Sequence, residues 1–215
     1  MRRLLLLKIY GRIMIKPISA VTLVSLAALS FNTQAKVEPG VYIGLDLNTS
    51  LMSTQKERKV FNGIETKEEG SISANSAGFS LGYRFATNNR FQISRTYINV
   101  EFDDDKKDTF SGTDFDWHFV YGKEQVQIYW GLGFGLYLYE DTAGLLTEKD
   151  DLEGISLQLL GGLKINVHEH VELDVSYRAK TIAWQTMTYN EELVSITRDL
   201  SHGFASVNLG AAIKF

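Results

Sequence analysis

The end of the chain alternates to its last residue. Ala205, Val207, Leu209, Ala211, Ile213 and Phe215 are apolar, and Ser206, Asn208, Gly210, Ala212 and Lys214 stand between them. Side chains of an extended strand point to opposite faces in turn, so such a run has one oily face and one wet face. The two-faced pattern recurs over 41–51, 73–85, 90–102, 110–121, 125–138, 155–167, 171–184 and 201–215, which predicts eight strands. The run 125–138 is the clearest. Val126, Ile128, Trp130, Leu132, Phe134, Leu136 and Leu138 alternate with Gln125, Gln127, Tyr129, Gly131, Gly133, Gly135 and Tyr137. Both prolines, Pro17 and Pro39, lie outside these runs, as expected where most backbone N–H groups donate to a ladder. Within 90–102 the phase slips. Phe91 and Ile93 keep one register while Ile98, Val100 and Phe102 keep the other, and a β-bulge near Ser94 is the expected cause.

Connections after the even-numbered strands are tight: Thr87-Asn88-Asn89, Gly122-Lys123 and His168-Glu169-His170. Those after odd-numbered strands are mostly longer and highly charged. A two-residue turn at Gly122-Lys123 predicts Phe119 opposite Val126 and Trp117 opposite Ile128. A three-residue turn at 168–170 predicts Val167 opposite Val171, Ile165 opposite Leu173 and Lys164 opposite Asp174.

Residues 1–17 carry Arg2, Arg3, Lys8, Arg12 and Lys16 and no acid. An apolar stretch follows over 18–31, and Thr33-Gln34-Ala35 offers small residues for cleavage. This is the pattern of an export signal over 1–35, with Met14 as the true start. The apolar stretch is short for a spanning helix. The signal holds 5 of the 22 basic residues and none of the 26 acidic ones, so 36–215 carries a net charge of −9. That argues against nucleic acid as a partner. With no cysteine, neither a disulfide nor a thiolate metal site can form. No cofactor is expected.

The strands, the alternating connection lengths and the terminal Phe215 together resemble the small eight-stranded outer-membrane barrels, the group of the OmpA barrel domain, OmpX and the opacity-type proteins. The resemblance covers about 37–215. It implies an all-β, antiparallel, up-and-down transmembrane barrel over 36–215, exported through the periplasm to the bacterial outer membrane. Outer-membrane lipid and lipopolysaccharide would surround it. The resemblance also implies that the last strand, with Val207, Leu209, Ala211, Ile213 and Phe215, is the signal read by the outer-membrane assembly machinery. Ile213 stands where the family often has an aromatic. A soluble lipocalin-like barrel would reverse the two faces. Against that, Phe85, Phe91, Tyr121 and Phe215 all fall on apolar faces at the tight-turn end, as an aromatic girdle would. The polar faces are rich in glycine and serine, which suits a crowded interior.

Eight strands enclose a bore that side chains can fill. Allowing for the bulge near Ser94, the inward acids are Asp46, Glu101, Asp114, Asp116, Glu172 and Asp174. The inward bases are Arg84, Arg95, Lys164, Arg178, Lys180 and Lys214. Unpaired charges in so narrow a space would cost several kcal/mol each, so equal numbers of both signs predict a salt-bridged plug with a closed lumen.

Asp114-x-Asp116-x-His118 puts two carboxylates and an imidazole on one inward edge. Metal or acid–base chemistry could use such a set, but membership of the charge network explains it better. His168 and His170 sit in a tight turn. Ser201-His202, with Asp199, Glu191 and Glu192 nearby, invites comparison with lipid A-modifying barrel enzymes, yet no motif of such an enzyme is present. Interaction chemistry is expected in the long loops: 56–69, 103–108, 140–153 with an apolar tip at Gly144-Leu145-Leu146, and Glu191-Glu192. The expected role is therefore not enzymatic. It is envelope structure and surface interaction, adhesion or shielding towards a host or surface ligand. One alternative is a small OmpW-like channel for apolar solutes, with Tyr137 and Tyr139 at its mouth. The other is the lipid A-modifying enzyme.

Overall fold

The computed structural model describes residues 38–102, 107–122, 125–140, 151–191 and 194–215. They form β1 (Gly40–Phe61), β2 (Ile64–Ser71), β3 (Ser73–Arg84), β4 (Arg90–Glu101), β5 (Lys107–Tyr121), β6 (Val126–Glu140), β7 (Leu152–His168), β8 (Val171–Trp184), β9 (Met187–Glu191) and β10 (Val194–Lys214). All pairings are antiparallel. Eight strands in the order β1-β3-β4-β5-β6-β7-β8-β10 close into a ring through pairing of β1 with β10. Closure leaves no sheet edge inside a bilayer, where an unpaired backbone group has no water to turn to.

The pairing rows fix the geometry of the ring. From Gly44 a row runs through Ser80, Ser94, Asp114, Gly135, Ser156, Ile182 and His202, and returns to β1 at Gln55. That is eleven residues beyond its start, and one of them is the bulge residue at the register shift between Ser50 and Met52. The stagger is therefore ten over eight strands. It tilts the strands by about 40° and raises each residue about 2.5 Å along the barrel axis.

Alternation places Leu45, Leu47, Phe79, Leu81, Ile128, Leu132, Phe134, Leu157 and Leu159 on the outside, all exposed. The outer wall of the tight-turn end is aromatic. Phe85 stacks on Trp117 at 5.3 Å, Phe119 on Trp130 at 4.3 Å, and the Trp130 indole donates to the Tyr121 hydroxyl at 3.3 Å. Phe91 packs beside Trp117, and Phe215 is exposed at the end of the last strand.

Four expectations need correction. There is no bulge near Ser94, because β4 pairs without a break from Arg90 to Glu101. Ile98 and Val100 point inward for another reason: the outer end of the lumen is apolar. Arg95 and Glu101 consequently lie on the outer surface, and Arg90 takes the inward place. Second, the connection after β5 is longer than two residues: Tyr121 pairs with Ile128, Phe119 with Trp130 and Trp117 with Leu132. Third, after β7 the pairs Ile165–Leu173 and Lys164–Asp174 stand as expected, but a shift at Asn166/His168 sets His168, not Val167, opposite Val171. Fourth, residues 56–69 are not an open loop. They form a hairpin between β1 and β2, turning at Asn62-Gly63 with φ of 47° and 83°, the left-handed pair a tight hairpin turn requires.

Candidate functional site

The interior is built in two layers. The first holds charge. Arg90 and Glu172, 1% and 2% exposed, form a bidentate pair at 2.6 and 2.7 Å. Lys164 reaches Asp174 at 2.9 Å and Glu172 at 3.8 Å, and Asp174 also accepts from Tyr129 and Ser176. Lys180 pairs with Asp114 at 2.7 Å, and Asp114 accepts from Thr96, Tyr137 and Ser156 as well. Asp46 accepts from Asn208 at 3.3 Å, and Arg178 lies in the field of Asp116, Asp46 and Asp114. At the tight-turn end, Lys214 donates to Asn166 at 2.6 Å, and Arg84 donates to the Glu38 carbonyl at 2.7 Å.

Lumen-facing glycines make room for this layer and the next. A Cβ on Gly112 would meet the Tyr137 ring, one on Gly82 the Tyr42 ring, and one on Gly154 the Trp184 ring. Each glycine is a seat for an aromatic from a neighbouring strand.

The second layer is apolar and lies at the end away from the tight turns. Ile98, Val100, Phe110, Tyr139, Ile182, Trp184, Leu200 and Phe204 pack into one buried cluster. Phe110 contacts Tyr139, Trp184 and His202 at ring distances of 4.6, 5.0 and 4.8 Å. The Trp184 indole donates to His202 Nδ1 at 2.7 Å, and Tyr139 donates to Asp108. Of this cluster, the sequence pattern pointed only to Tyr137 and Tyr139, at the mouth of the alternative channel. A further signal was that Ile98, Val100 and Phe110 flank a connection on the long-loop side. Among the described residues, cavities of about 20 Å³ lie on either side of Arg178, each with room for little more than one water molecule.

The Asp114, Asp116 and His118 set does not converge on a common point. Asp114 is committed to Lys180, Asp116 accepts from Gln158, and the His118 ring packs at a tilt against Tyr129, 5.1 Å between centroids. Neither His118 nitrogen has a hydrogen-bond partner among the described residues. His168 and His170 are exposed, and His170 Nδ1 lies 3.2 Å from the Lys214 carbonyl. Ser201 and His202, adjacent on β10, face opposite sides of the wall, so they cannot act on one substrate. Asp199 is taken by Arg58.

Beyond the ring, β2 pairs with the distal half of β1 and β9 with the start of β10, giving a four-stranded sheet in the order β2-β1-β10-β9. Its outward face carries an ionic lattice. Arg58 bridges Glu65 and Asp199, each at 3.1 Å; Lys67 reaches Glu65 at 3.0 Å and Lys56 reaches Glu69 at 3.4 Å. Hydrogen bonds from Arg58, with Lys67 beside it, hold the Glu65 carboxyl down to about 2. The other face pairs Arg198 with Glu57 at 2.7 Å and ends in exposed Phe61 and Ile64. Among the described residues, β2 and β9 are each paired along one edge only. The expected loop sites at 141–150, with Gly144-Leu145-Leu146, and at Glu192 lie outside the described residues.

A closed ring with an oily outside, an ionic inside and an aromatic belt defines an outer-membrane barrel. The chain matches the family described as outer membrane protein β-barrel domain over residues 21–212. It belongs to that family and resides in the bacterial outer membrane. Among solved structures it is similar to OprG of Pseudomonas aeruginosa, with 13% identity, 84% of this chain and 97% of that chain covered, and a TM-score of 0.50. It is also similar to Neisserial surface protein A, with 18% identity, 83% and 100% covered, and a TM-score of 0.44. The N-terminal barrel domain of Pseudomonas aeruginosa OprF gives 14% identity, 83% and 100% covered, and a TM-score of 0.47. No curated protein sequence matches the chain significantly.

Proposed function

We propose that the protein is a non-enzymatic outer-membrane barrel with a closed lumen, acting at the cell surface through its protruding sheet. The observation that carries this reading is the four-stranded extension with two edges free among the described residues. Unpaired strand edges are templates for adding an extended segment of another protein, and the exposed Phe61 and Ile64 beside them offer apolar contact. The paired charges and the apolar plug support a structural role for the lumen. Residues 1–35 act as a cleaved export signal, and the outward residues Val207, Leu209, Ala211, Ile213 and Phe215 guide assembly. The test compares attachment to epithelial monolayers of cells carrying the full chain with cells carrying a shortened β1–β2 hairpin. Attachment falls with the shortened hairpin. Equal attachment, with the variant barrel still heat-modifiable on gels, refutes the reading.

A second reading follows from the plug itself. Its lining of Phe110, Trp184, Leu200 and Phe204 would suit a path for small apolar solutes if those side chains moved apart. Uptake of such a solute into liposomes carrying the protein, above the rate of empty liposomes, would favour it.

A further inference from the structure

Arg95 sits on the wrong side of the wall for a charge. It is exposed on the outer face of β4, between Phe79 of β3 and Thr113 of β5 in the pairing rows. Rows climb the barrel by about one and a quarter residues per strand, given the stagger of ten over eight strands. Correcting for that climb, Arg95 lies at the height of Leu47, Phe134, Leu159 and Val207, all exposed and apolar. On β6 the outward run from Val126 to Leu138 is apolar throughout, and Phe134 lies near its centre. Arg95 therefore starts from the middle of the hydrocarbon band, where a lipid-facing arginine is most costly.

Its side chain does not stay there. The guanidinium reaches away from the tight-turn end, donating to Ser111 at 3.1 Å and Thr113 at 3.5 Å, and lies 5.4 Å from the centre of the Tyr97 ring. Ser111 is buried beneath it. Asn75, Asn99 and Thr109 continue the polar surface at the depth where β6 and β7 present Leu136, Leu138 and Ile155. The oily band is thus notched on one flank, over β3, β4 and β5. Among the described residues no carboxylate lies within ion-pair distance of Arg95. Glu101, further along the same face, is engaged with Lys107 at 3.6 Å. Below and beside the notch, Phe79, Ile93, Phe115 and Phe134 form an apolar wall, with Phe115 and Phe134 stacked at 5.0 Å.

We infer that this notch is a binding site for one phosphorylated lipid of the outer leaflet, its phosphate on Arg95, Ser111 and Thr113 and its acyl chains on the wall below. A phosphate supplies the charge that Arg95 lacks and accepts from several donors at once. In a medium without water, such charge-assisted bonds are strong. A single cation at hydrocarbon depth, hydroxyls above and apolar rings beneath match a lipid from headgroup to chain.

The test is native mass spectrometry of the full chain in detergent with three probes: bis-phosphorylated lipid A, dephosphorylated lipid A and phosphatidylglycerol. The wild-type barrel retains one bis-phosphorylated lipid A. Arg95→Gln lowers its occupancy about tenfold or more, the loss expected for a charge-assisted pair. Arg95→Lys retains part of it, and Arg58→Gln, in the protruding sheet, changes nothing. Dephosphorylated lipid A binds wild type as weakly as lipid A binds Arg95→Gln. Retention of phosphatidylglycerol in an Arg95-dependent way extends the site to phospholipid phosphate; its failure to bind restricts the site to the glycolipid. Equal retention by Arg95→Gln, or equal retention of the dephosphorylated lipid, overturns the inference. So does a loss of self-association on Arg95→Gln with unchanged lipid occupancy, which would make the notch a contact between copies.

Discussion

Replacing Glu172 by Gln removes one charge from the ionic layer and leaves Arg90 inside without its partner. Arg90 is 1% exposed and spends two donors on Glu172 at 2.6 and 2.7 Å, while its other hydrogen bond, to Gln127, is long at 3.4 Å and the Tyr42 ring, 5.5 Å away, carries no charge. Lys164 keeps Asp174 at 2.9 Å, so the damage stays at Arg90. Stranding one member of a buried pair costs about 3–5 kcal/mol, whereas replacing both by apolar residues of similar volume is often near neutral. Glu172→Gln is therefore expected to lose about 4 kcal/mol and the double variant Arg90→Met/Glu172→Met much less. The assay is urea unfolding in lipid vesicles followed by tryptophan fluorescence. With a slope of about 2 kcal/mol per molar urea, the single variant's midpoint falls by about 2 M. A fall under about 0.5 M, or a double variant as labile as the single one, would refute the claim that paired charge holds the interior.

In planar bilayers the purified protein shows no stable nanosiemens-scale conductance; reproducible openings of that size would show that the two lumen layers part. Gly112→Val pushes a side chain into the seat of the Tyr137 ring and breaks its bond to Asp114. It should cost about 1–3 kcal/mol in the same urea assay, and a wild-type midpoint would show that the ring does not need the glycine. Glu65 titrates near pH 2 in the folded sheet, well below the ordinary 4.5. Because folding lowers this pKa, the lattice's contribution is fully present above about 4.5 and is lost as pH falls through about 2. A carboxyl NMR titration of Glu65 with its midpoint near 4.5 would show that Arg58 and Lys67 do not hold it.

The strands were legible because one physical rule governs the middle of the chain: apolar residues face lipid and polar residues face inward. Where that rule held, as on β6, β8 and the second half of β10, each residue's face could be read from period two alone. Towards the long-loop end, starting within the membrane, the rule inverts. Ile98, Val100, Phe110, Ile182 and Phe204 turn inward as a plug, while Arg95, Asn99 and Glu101 turn out. An expectation of one constant polarity had to read that inversion as a bulge in β4. The actual bulge, on β1 between Ser50 and Met52, leaves no such mark, since Leu51 and Met52 are both apolar and both exposed. In the protruding sheet the alternation disappears, because charged residues stand on both faces of β2. Register was less legible than parity. A connection longer by an even number of residues keeps every face correct while moving every partner, as happened after β5. The inward charges remain balanced because Arg90 and Asp108 fill the roles expected of Arg95 and Glu101. Period two identifies a face, but only pairing identifies a partner.

The account rests on greasy residues outside and charges inside, and tryptophan quenching by lipids brominated on their acyl chains tests it most directly. Trp130 is 46% exposed on the outer wall and Trp184 is 6% exposed within the plug. Two single-tryptophan variants, one keeping Trp130 and one keeping Trp184, are reconstituted in the brominated bilayer. The account predicts strong quenching of Trp130 and little of Trp184. Strong quenching of Trp184 with Trp130 protected would mean that the barrel is turned inside out.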